Sequence, residues 1–157
     1  MIQFNSSAPN EIIKATSHKL KGVVDTKKKI FAFKIDLASF EGFNSPLQQE
    51  HFNENYMESY MYPEASFTGK IIESVSFDND GKYKIRAKGK LNIHGVAQER
   101  IIYADIIVKD KNISIASEFT VSLTEHNIKI PRVVYDKLAT QVNVSMSATL
   151  ATDNEAL

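Results

Sequence analysis

The clearest pattern in the chain is the strict alternation of polar and apolar positions over residues 82–93. The even positions carry Lys, Arg or Asn, and the odd positions carry apolar residues or glycine. Because successive side chains of a β-strand point to opposite faces, this pattern predicts a strand with one solvated and one buried face. At about 3.3 Å per residue the strand would span roughly 40 Å, which favours a sheet that coils and closes on itself.

Weaker alternation of the same kind predicts seven further strands. They are expected at residues 12–17, 18–25, 30–37, 65–77 (with a bulge), 101–108, 113–123 and 138–150, and the residues before position 11 are expected to be loop. Polar turns join several neighbours, since Asn, Asp and Gly tolerate a positive φ. Consecutive strands usually pair, so an all-β, eight-stranded antiparallel barrel is predicted, with a two-sheet sandwich as the alternative.

Residues 39–63 interrupt the β pattern. Apolar side chains at positions 52, 56, 57 and 60 have the spacing of one helical face, with Pro46 near the expected start and Pro63 after the end. The sequence therefore predicts one short helical excursion between the third and fourth predicted strands.

Composition narrows the function classes. With 157 residues, 43% of them apolar, the chain is expected to fold as a single domain over residues 1–157. Lys and Arg together number 19, as do Asp and Glu, and this balance argues against a nucleic-acid partner. No segment has the length and apolarity of a transmembrane span. The absence of cysteine excludes disulfides and thiolate chemistry.

Motifs for catalysis, cofactors and metals are missing from the sequence. The four histidines lie in separate segments, so no metal site is predicted. His51 with Glu50 and Glu54 is the best local cluster, and an ordinary charged helix surface explains it more simply. His94 is expected to satisfy backbone groups in a hairpin. No phosphate-binding, dinucleotide-binding or nucleophile motif is present, so we expect no cofactor and a protein that is not an enzyme.

Three segments in order resemble the YceI-like family of bacterial lipid-binding proteins. Residues 89–96 read G-K-L-N-I-H-G-V, residues 62–69 read Y-P-E-A-S-F-T-G, and residues 50–54 read E-H-F-N-E. The order and spacing agree from about residue 12 to residue 150, which is nearly the whole chain.

The resemblance implies a lipocalin-like barrel whose apolar bore holds a long polyisoprenoid or similar lipid. It implies a non-catalytic carrier, periplasmic or secreted, whose leader is absent from this sequence; a cytoplasmic location is the alternative. The expected partner is therefore an apolar small molecule such as a long-chain isoprenoid or fatty lipid, and a homodimer is left open.

Apolar positions of the strands and of the helical excursion supply the candidate ligand-binding residues. From the residues alone, a filled core and a cavity are equally expected, although Gly22, Gly69, Ala87, Gly89 and Ala148 leave the interior short of side-chain volume. The resemblance favours the cavity. The candidates are Phe31, Phe33, Ile35, Phe52, Tyr56, Phe67, Ile85, Leu91, Phe119, Val121, Val142, Val144 and Met146.

Two alternatives remain at this point. An enzyme acting on a lipid or other apolar molecule inside the barrel would need an interior acid or tyrosine, and Tyr83 and Tyr103 are its candidates. A protein-interaction scaffold would need an exposed aromatic patch over residues 56–62.

Overall fold

The computed structural model describes residues 1–151, in which nine antiparallel strands form one curled sheet. The strands run in the order β2-β1-β9-β8-β7-β6-β5-β4-β3 across the sheet. Their bounds are β1 Ile2–Ala8, β2 Glu11–Ser17, β3 Lys21–Asp25, β4 Ile30–Asp36, β5 Glu64–Ile71, β6 Gly81–Ile93, β7 Val96–Lys109, β8 Asn112–Ser122 and β9 Gln141–Ala151.

The alternation that predicts β6 is confirmed by the burial of its side chains. Ile85 and Leu91 are buried, whereas the lysines at positions 82, 84, 88 and 90 are exposed. Strand β6 pairs with β7 along its whole length, from Gly81 opposite Val108 to Ile93 opposite Val96. The longest hairpin of the sheet is therefore built on the strongest pattern in the sequence.

The sheet is a curled half-barrel, so the prediction of a closed eight-stranded barrel is wrong. Strands β2 and β3 are the two ends of the sheet, and within residues 1–151 no ladder joins them. The outer edge of β2 is taken instead by the chain after β4. The amide of Thr16 donates to the carbonyl of Glu41 at 2.8 Å, and the amide of Glu41 donates back at 2.9 Å. These bonds use edge groups that a closing strand would need.

The additional strand is β1, at residues that were predicted to be loop. It pairs with β2 along its whole length and with β9 through residues 2–5. The polar run Asn5-Ser6-Ser7 hides its alternation, but Ser6 is buried and its hydroxyl accepts a hydrogen bond from the amide of Ala139 at 3.0 Å. A serine satisfied by backbone can occupy an inward position that sequence patterns assign to solvent.

The helical excursion contains helix α1, Pro46–His51, followed by a π-helical turn, Phe52–Tyr56. The hydroxyl of Ser45 caps α1 by accepting from the amide of Gln48 at 3.1 Å, and Pro46 occupies the first turn, where its missing N–H is not needed. Because β1 was not predicted, α1 lies between the fourth and fifth strands, not between the third and fourth. Short 3-10 helices occur at Leu37–Ser39, Thr124–His126 and Arg132–Val134.

The predicted apolar face of this helix is correct only in part. Phe52, Tyr56 and Met57 pack into a core cluster, but Tyr60 is 72% exposed. The chain leaves helical geometry at Glu58, which has a φ of 51°. Helical spacing therefore no longer applies when the chain reaches Tyr60. None of the helices within residues 1–151 has the length and apolarity to cross a membrane.

Strand β5 stops at Ile71, so the predicted continuation to residue 77 is wrong. The carboxylate of Glu73 accepts hydrogen bonds from the Arg86 amide and, at 2.8 Å, from Arg86 Nε. The side chain of Glu73 thus takes the place of a backbone partner for the Arg86 amide, and the β5–β6 ladder ends here. Val75 and Phe77 are nevertheless buried, in a core cluster with Val108 and Ile113 that closes one end of the sheet.

Candidate functional site

A cavity of about 550 Å³ lies on the concave side of the sheet. This volume is within the range of small-molecule sites. The structure places all thirteen predicted ligand-binding residues on its wall, although their contact with a ligand stays a prediction. They are Phe31, Phe33, Ile35, Phe52, Tyr56, Phe67, Ile85, Leu91, Phe119, Val121, Val142, Val144 and Met146.

Four phenylalanines, one from β1 and three from the connection between β4 and β5, line one end of the cavity. Phe4 of β1 stacks on Phe52 with ring centroids 5.3 Å apart and an interplanar angle of 11°. Phe40 meets Phe4 edge-on at 5.2 Å, and Phe43 lies 5.0 Å from Phe52. Offset and edge-on geometries are the favoured ones for aromatic pairs. The cluster is an adaptable apolar wall at the helical end of the cavity.

Sequence reasoning missed three members of this cluster. Phe40 and Phe43 lie in the excursion outside any alternating stretch, and Phe4 lies in a segment that was predicted to be loop. The short pattern Ile2-Gln3-Phe4-Asn5 is the one available signal for Phe4. Other residues of the cavity wall, including Ile2, Ile102 and Ile106, were also not predicted.

The cavity reaches solvent beside α1. The exposed residues on its wall are Lys34, Ser45, Leu47, His51 and Lys137, and we call the rim formed by Ser45, Leu47, His51 and Lys137 the mouth. Hydrogen bonds hold its rim together. Gln48 Nε2 donates to the carboxylate of Glu11, and Asn44 Nδ2 donates to the carbonyl of Ile12 at 3.1 Å. The polar side chains of the wall are thus concentrated where water has access.

Deeper in the cavity the wall offers little polar chemistry. Ser117, on the wall, uses its hydroxyl to donate to the carbonyl of Tyr103 at 2.6 Å. Over the described residues 1–151, every buried side-chain nitrogen or oxygen has a hydrogen-bond partner. A polar ligand would need unpaired groups to compensate the loss of its hydration. This interior suits an apolar molecule.

The two tyrosines considered for catalysis do not provide a reactive group in the cavity. Tyr103 is 71% exposed on the outer face of β7. Tyr83 packs at the closed end, and its hydroxyl donates to the carbonyl of Ser76 at 3.3 Å. Neither residue lines the cavity wall. The geometry therefore gives no support to the enzyme alternative through these two residues.

A buried histidine fastens the chain after the π-helical turn to the β6–β7 hairpin. His94 is 8% exposed, and its Nε2 lies 2.7 Å from a carboxylate oxygen of Glu58. Its Nδ1 lies 3.1 Å from the carbonyl oxygen of His126. Each ring nitrogen therefore lies within hydrogen-bond distance of an oxygen atom. The ring of Tyr62 packs edge-on against His94 at 4.6 Å.

The charge of Glu58 is stabilised in this arrangement. The hydrogen bond from His94, and secondarily the one from the Tyr60 hydroxyl at 3.1 Å, lower the pKa of the Glu58 carboxyl below its usual value. His94 was expected to satisfy backbone groups, and it does so at His126, but its link to Glu58 was not predicted. His126 in turn is buried, with Nδ1 3.0 Å from the carbonyl oxygen of Val96.

A curled antiparallel sheet around an apolar chamber, closed at one end and covered by a short helix at the other, defines a half-barrel class of β-protein. Within that class the chain belongs to the YceI-like family, because residues 4–150 match the family's YceI-like domain. The recognition from sequence is confirmed. No curated protein is a significant match to the chain.

Solved structures share this fold at low sequence identity. The crystal structure of Burkholderia cenocepacia BcnA is similar with a TM-score of 0.77 and 16% identity, over 96% of this chain and 95% of that one. A polyisoprenoid binding domain from Saccharophagus degradans, implicated in plant cell wall breakdown, gives 0.75 and 14%, over 94% and 91%. A Campylobacter jejuni YCEI protein gives 0.68 and 17%, over 90% and 86%.

Proposed function

We propose that this protein is a non-catalytic carrier that sequesters a long apolar lipid, a polyisoprenoid or similar chain, in the cavity of its half-barrel. The observation that carries the proposal is the cavity of about 550 Å³ whose deep wall is aliphatic and aromatic. Burial of a hydrocarbon chain gains about 0.8 kcal/mol per CH₂, so a long tail needs few polar contacts to bind.

Two further features support this proposal. A structural neighbour of the same fold is described as a polyisoprenoid binding domain. The concentration of polar wall residues at the mouth would let a lipid keep its polar end in water while the tail is buried. We propose that residues 1–157 act as one domain, as a monomer or a homodimer. A periplasmic or secreted location is proposed, with the cytoplasm as the alternative.

The direct test is organic extraction of the purified protein followed by lipid mass spectrometry. A stoichiometric amount of an apolar chain is expected in the extract. The protein, once emptied, should take up a polyisoprenol presented to it. An empty protein that takes up neither polyisoprenol nor fatty lipid would overturn the carrier function.

A matched pair of variants tests whether the cavity is the site. Ala104 of β7 faces the cavity. Ala116 of β8 pairs with Asp105, the residue after Ala104, and is exposed on the outer face of the sheet. Ala104→Phe places a ring in the proposed lipid space and should reduce uptake strongly. Ala116→Phe adds the same ring outside and should leave uptake unchanged. Equal uptake by both variants would place the ligand elsewhere.

A further inference from the structure

Beside the mouth, an exposed turn combines apolar and basic side chains. Val133 is 84% exposed and Tyr135 is 46% exposed. The intervening Val134 lines the cavity, as does Lys137 two residues beyond Tyr135. The same short stretch, residues 129–137, therefore forms part of the cavity wall and presents an apolar surface outward. We call it the docking turn.

The docking turn is held in place by backbone hydrogen bonds. The amides of Val134 and Tyr135 donate to the carbonyls of Pro131 and Arg132 at 3.0 and 3.1 Å. The amide of Asn10, in the β1–β2 turn, donates to the carbonyl of Asp136 at 2.7 Å. The outward position of Val133 is thus fixed by the fold. A partner that binds it therefore does not have to order the turn, and that entropic cost of binding is avoided.

The charges of the docking turn select the kind of partner. Lys129, Arg132 and Lys137 are all exposed and outnumber the turn's one acid, Asp136, which accepts a hydrogen bond from Asn10 Nδ2 at 3.2 Å. Valine and tyrosine flanked by Lys and Arg suit the interface of a membrane that contains anionic lipids.

The α1 side of the mouth has a different character. Leu47 is also exposed there, but Glu50 and Glu54 follow it at i+3 and i+7, and an anionic surface would repel them. The two sides of the mouth therefore differ in charge, and the docking turn is the side that an anionic surface would attract.

We propose that the docking turn binds the surface of an anionic lipid bilayer, so that the mouth opens against the membrane from which the lipid is taken or to which it is delivered. This inference rests on the proposed carrier function. A long apolar chain leaves a bilayer for water at a large free-energy cost. Contact between the mouth and the bilayer shortens the path that the chain must travel through water.

Co-sedimentation with vesicles tests the proposal. The wild type is expected to bind vesicles of phosphatidylcholine mixed with phosphatidylglycerol more strongly than vesicles of phosphatidylcholine alone. Neutralising two charges with Lys129→Gln and Arg132→Gln should weaken binding by on the order of twentyfold. Val133→Asp should weaken it by roughly tenfold, because a charge replaces the inserted side chain. Tyr135→Ser should weaken it measurably, while Tyr103→Ser, on the outer face of β7, serves as the control and should not.

Uptake of polyisoprenol in detergent-free solution is measured on the same variants. Lost docking with retained uptake supports the proposal. If the wild type takes up polyisoprenol but does not bind vesicles, the docking proposal is overturned and the carrier function stands. The same holds if the changes at Val133, Lys129 and Arg132 leave vesicle binding intact. Vesicle binding that depends on the docking turn, without any uptake, supports the docking surface and overturns the carrier function.

Discussion

The two ends of the half-barrel are built from the same strands and differ in how their interiors are filled. At the closed end Val75, Phe77, Val108 and Ile113 are buried against one another. At the mouth the rings of Phe43 and Phe52 are only half-buried and face the cavity. Alternation along the strands supplies an apolar face to both ends equally. Whether that face becomes core or binding site depends on the segments that cover it.

The connections at the two ends explain this difference. At the closed end the chain from Ile72 to Asp80 crosses below the sheet and brings Val75 and Phe77 inward. At the mouth the connections run through residues 37–63 and 123–140, which are much longer and place their apolar side chains around the rim. The short connection at the closed end fills the space beneath it with its own side chains, whereas the longer connections at the mouth leave a cavity.

Replacing one phenylalanine at each end should separate the two interiors most clearly. Phe77→Ala leaves a void in packed core and is expected to lower the free energy of unfolding by about 4 kcal/mol. Phe43→Ala should lower it clearly less, because one side of that ring already faces open space. Urea denaturation of both variants measures the difference. Equal losses would mean that the mouth end is packed as core.

The middle of the β5–β6 ladder, between the two ends, should be nearly as sensitive. Gly69 lies opposite Gly89, between the Phe67–Leu91 pair on the mouth side and the Ile71–Ala87 pair on the closed side, and both pairs line the cavity. A Cβ on Gly89 would collide with the backbone of Thr68 and Gly69. Gly89→Ala is therefore expected to cost about 3 kcal/mol of stability, since backbone must move.

The control for the glycine variant is its outward-facing neighbour, Lys88, which is exposed. Lys88→Ala should change the unfolding free energy by no more than about 0.5 kcal/mol. A similarly small change for Gly89→Ala, again measured by urea denaturation, would show that the strands can separate locally at this point.

The comparison of the two ends also shows what could be predicted from sequence. The alternation of β6 and the inward residues of β4, β8 and β9 could be predicted, because a period of two determines which face a side chain occupies. The open seam between β2 and β3 could not, because it depends on Thr16 pairing with Glu41, residues 25 positions apart with no shared pattern. The residues of the rim, such as Phe4 and Phe43, come from segments without periodicity, so spacing alone gave no reason to place them together.

His94 links the cover of the mouth to the sheet, and its removal should have an intermediate effect. His94→Ala leaves the carbonyl of His126 without its partner and removes one of the two hydrogen bonds of the Glu58 carboxylate. The loss of hydrogen bonds at a buried position is expected to lower the free energy of unfolding by about 2 kcal/mol. His51→Ala, at the exposed end of α1, is the matched control and should be close to neutral. If both variants unfold at the same urea concentration as the wild type, the contacts of His94 contribute nothing to stability.

The smallest expected effect is the pH dependence of stability that comes from the contact between Glu58 and His94. Its carboxyl binds a proton more weakly in the folded chain than in the unfolded chain, because His94 and Tyr60 donate to the carboxylate and lower its pKa. The group therefore favours the folded state above its unfolded pKa, and this contribution is lost as the pH falls through the lowered folded pKa. Because the side chain of Glu58 is 33% exposed, solvent screens the interaction. The free energy of unfolding of the wild type should exceed that of Glu58→Gln at neutral pH, and the difference should shrink in acid, as urea denaturation at several pH values would measure. A difference that grows on acidification would contradict the inference that Glu58 accepts these hydrogen bonds as a charged carboxylate.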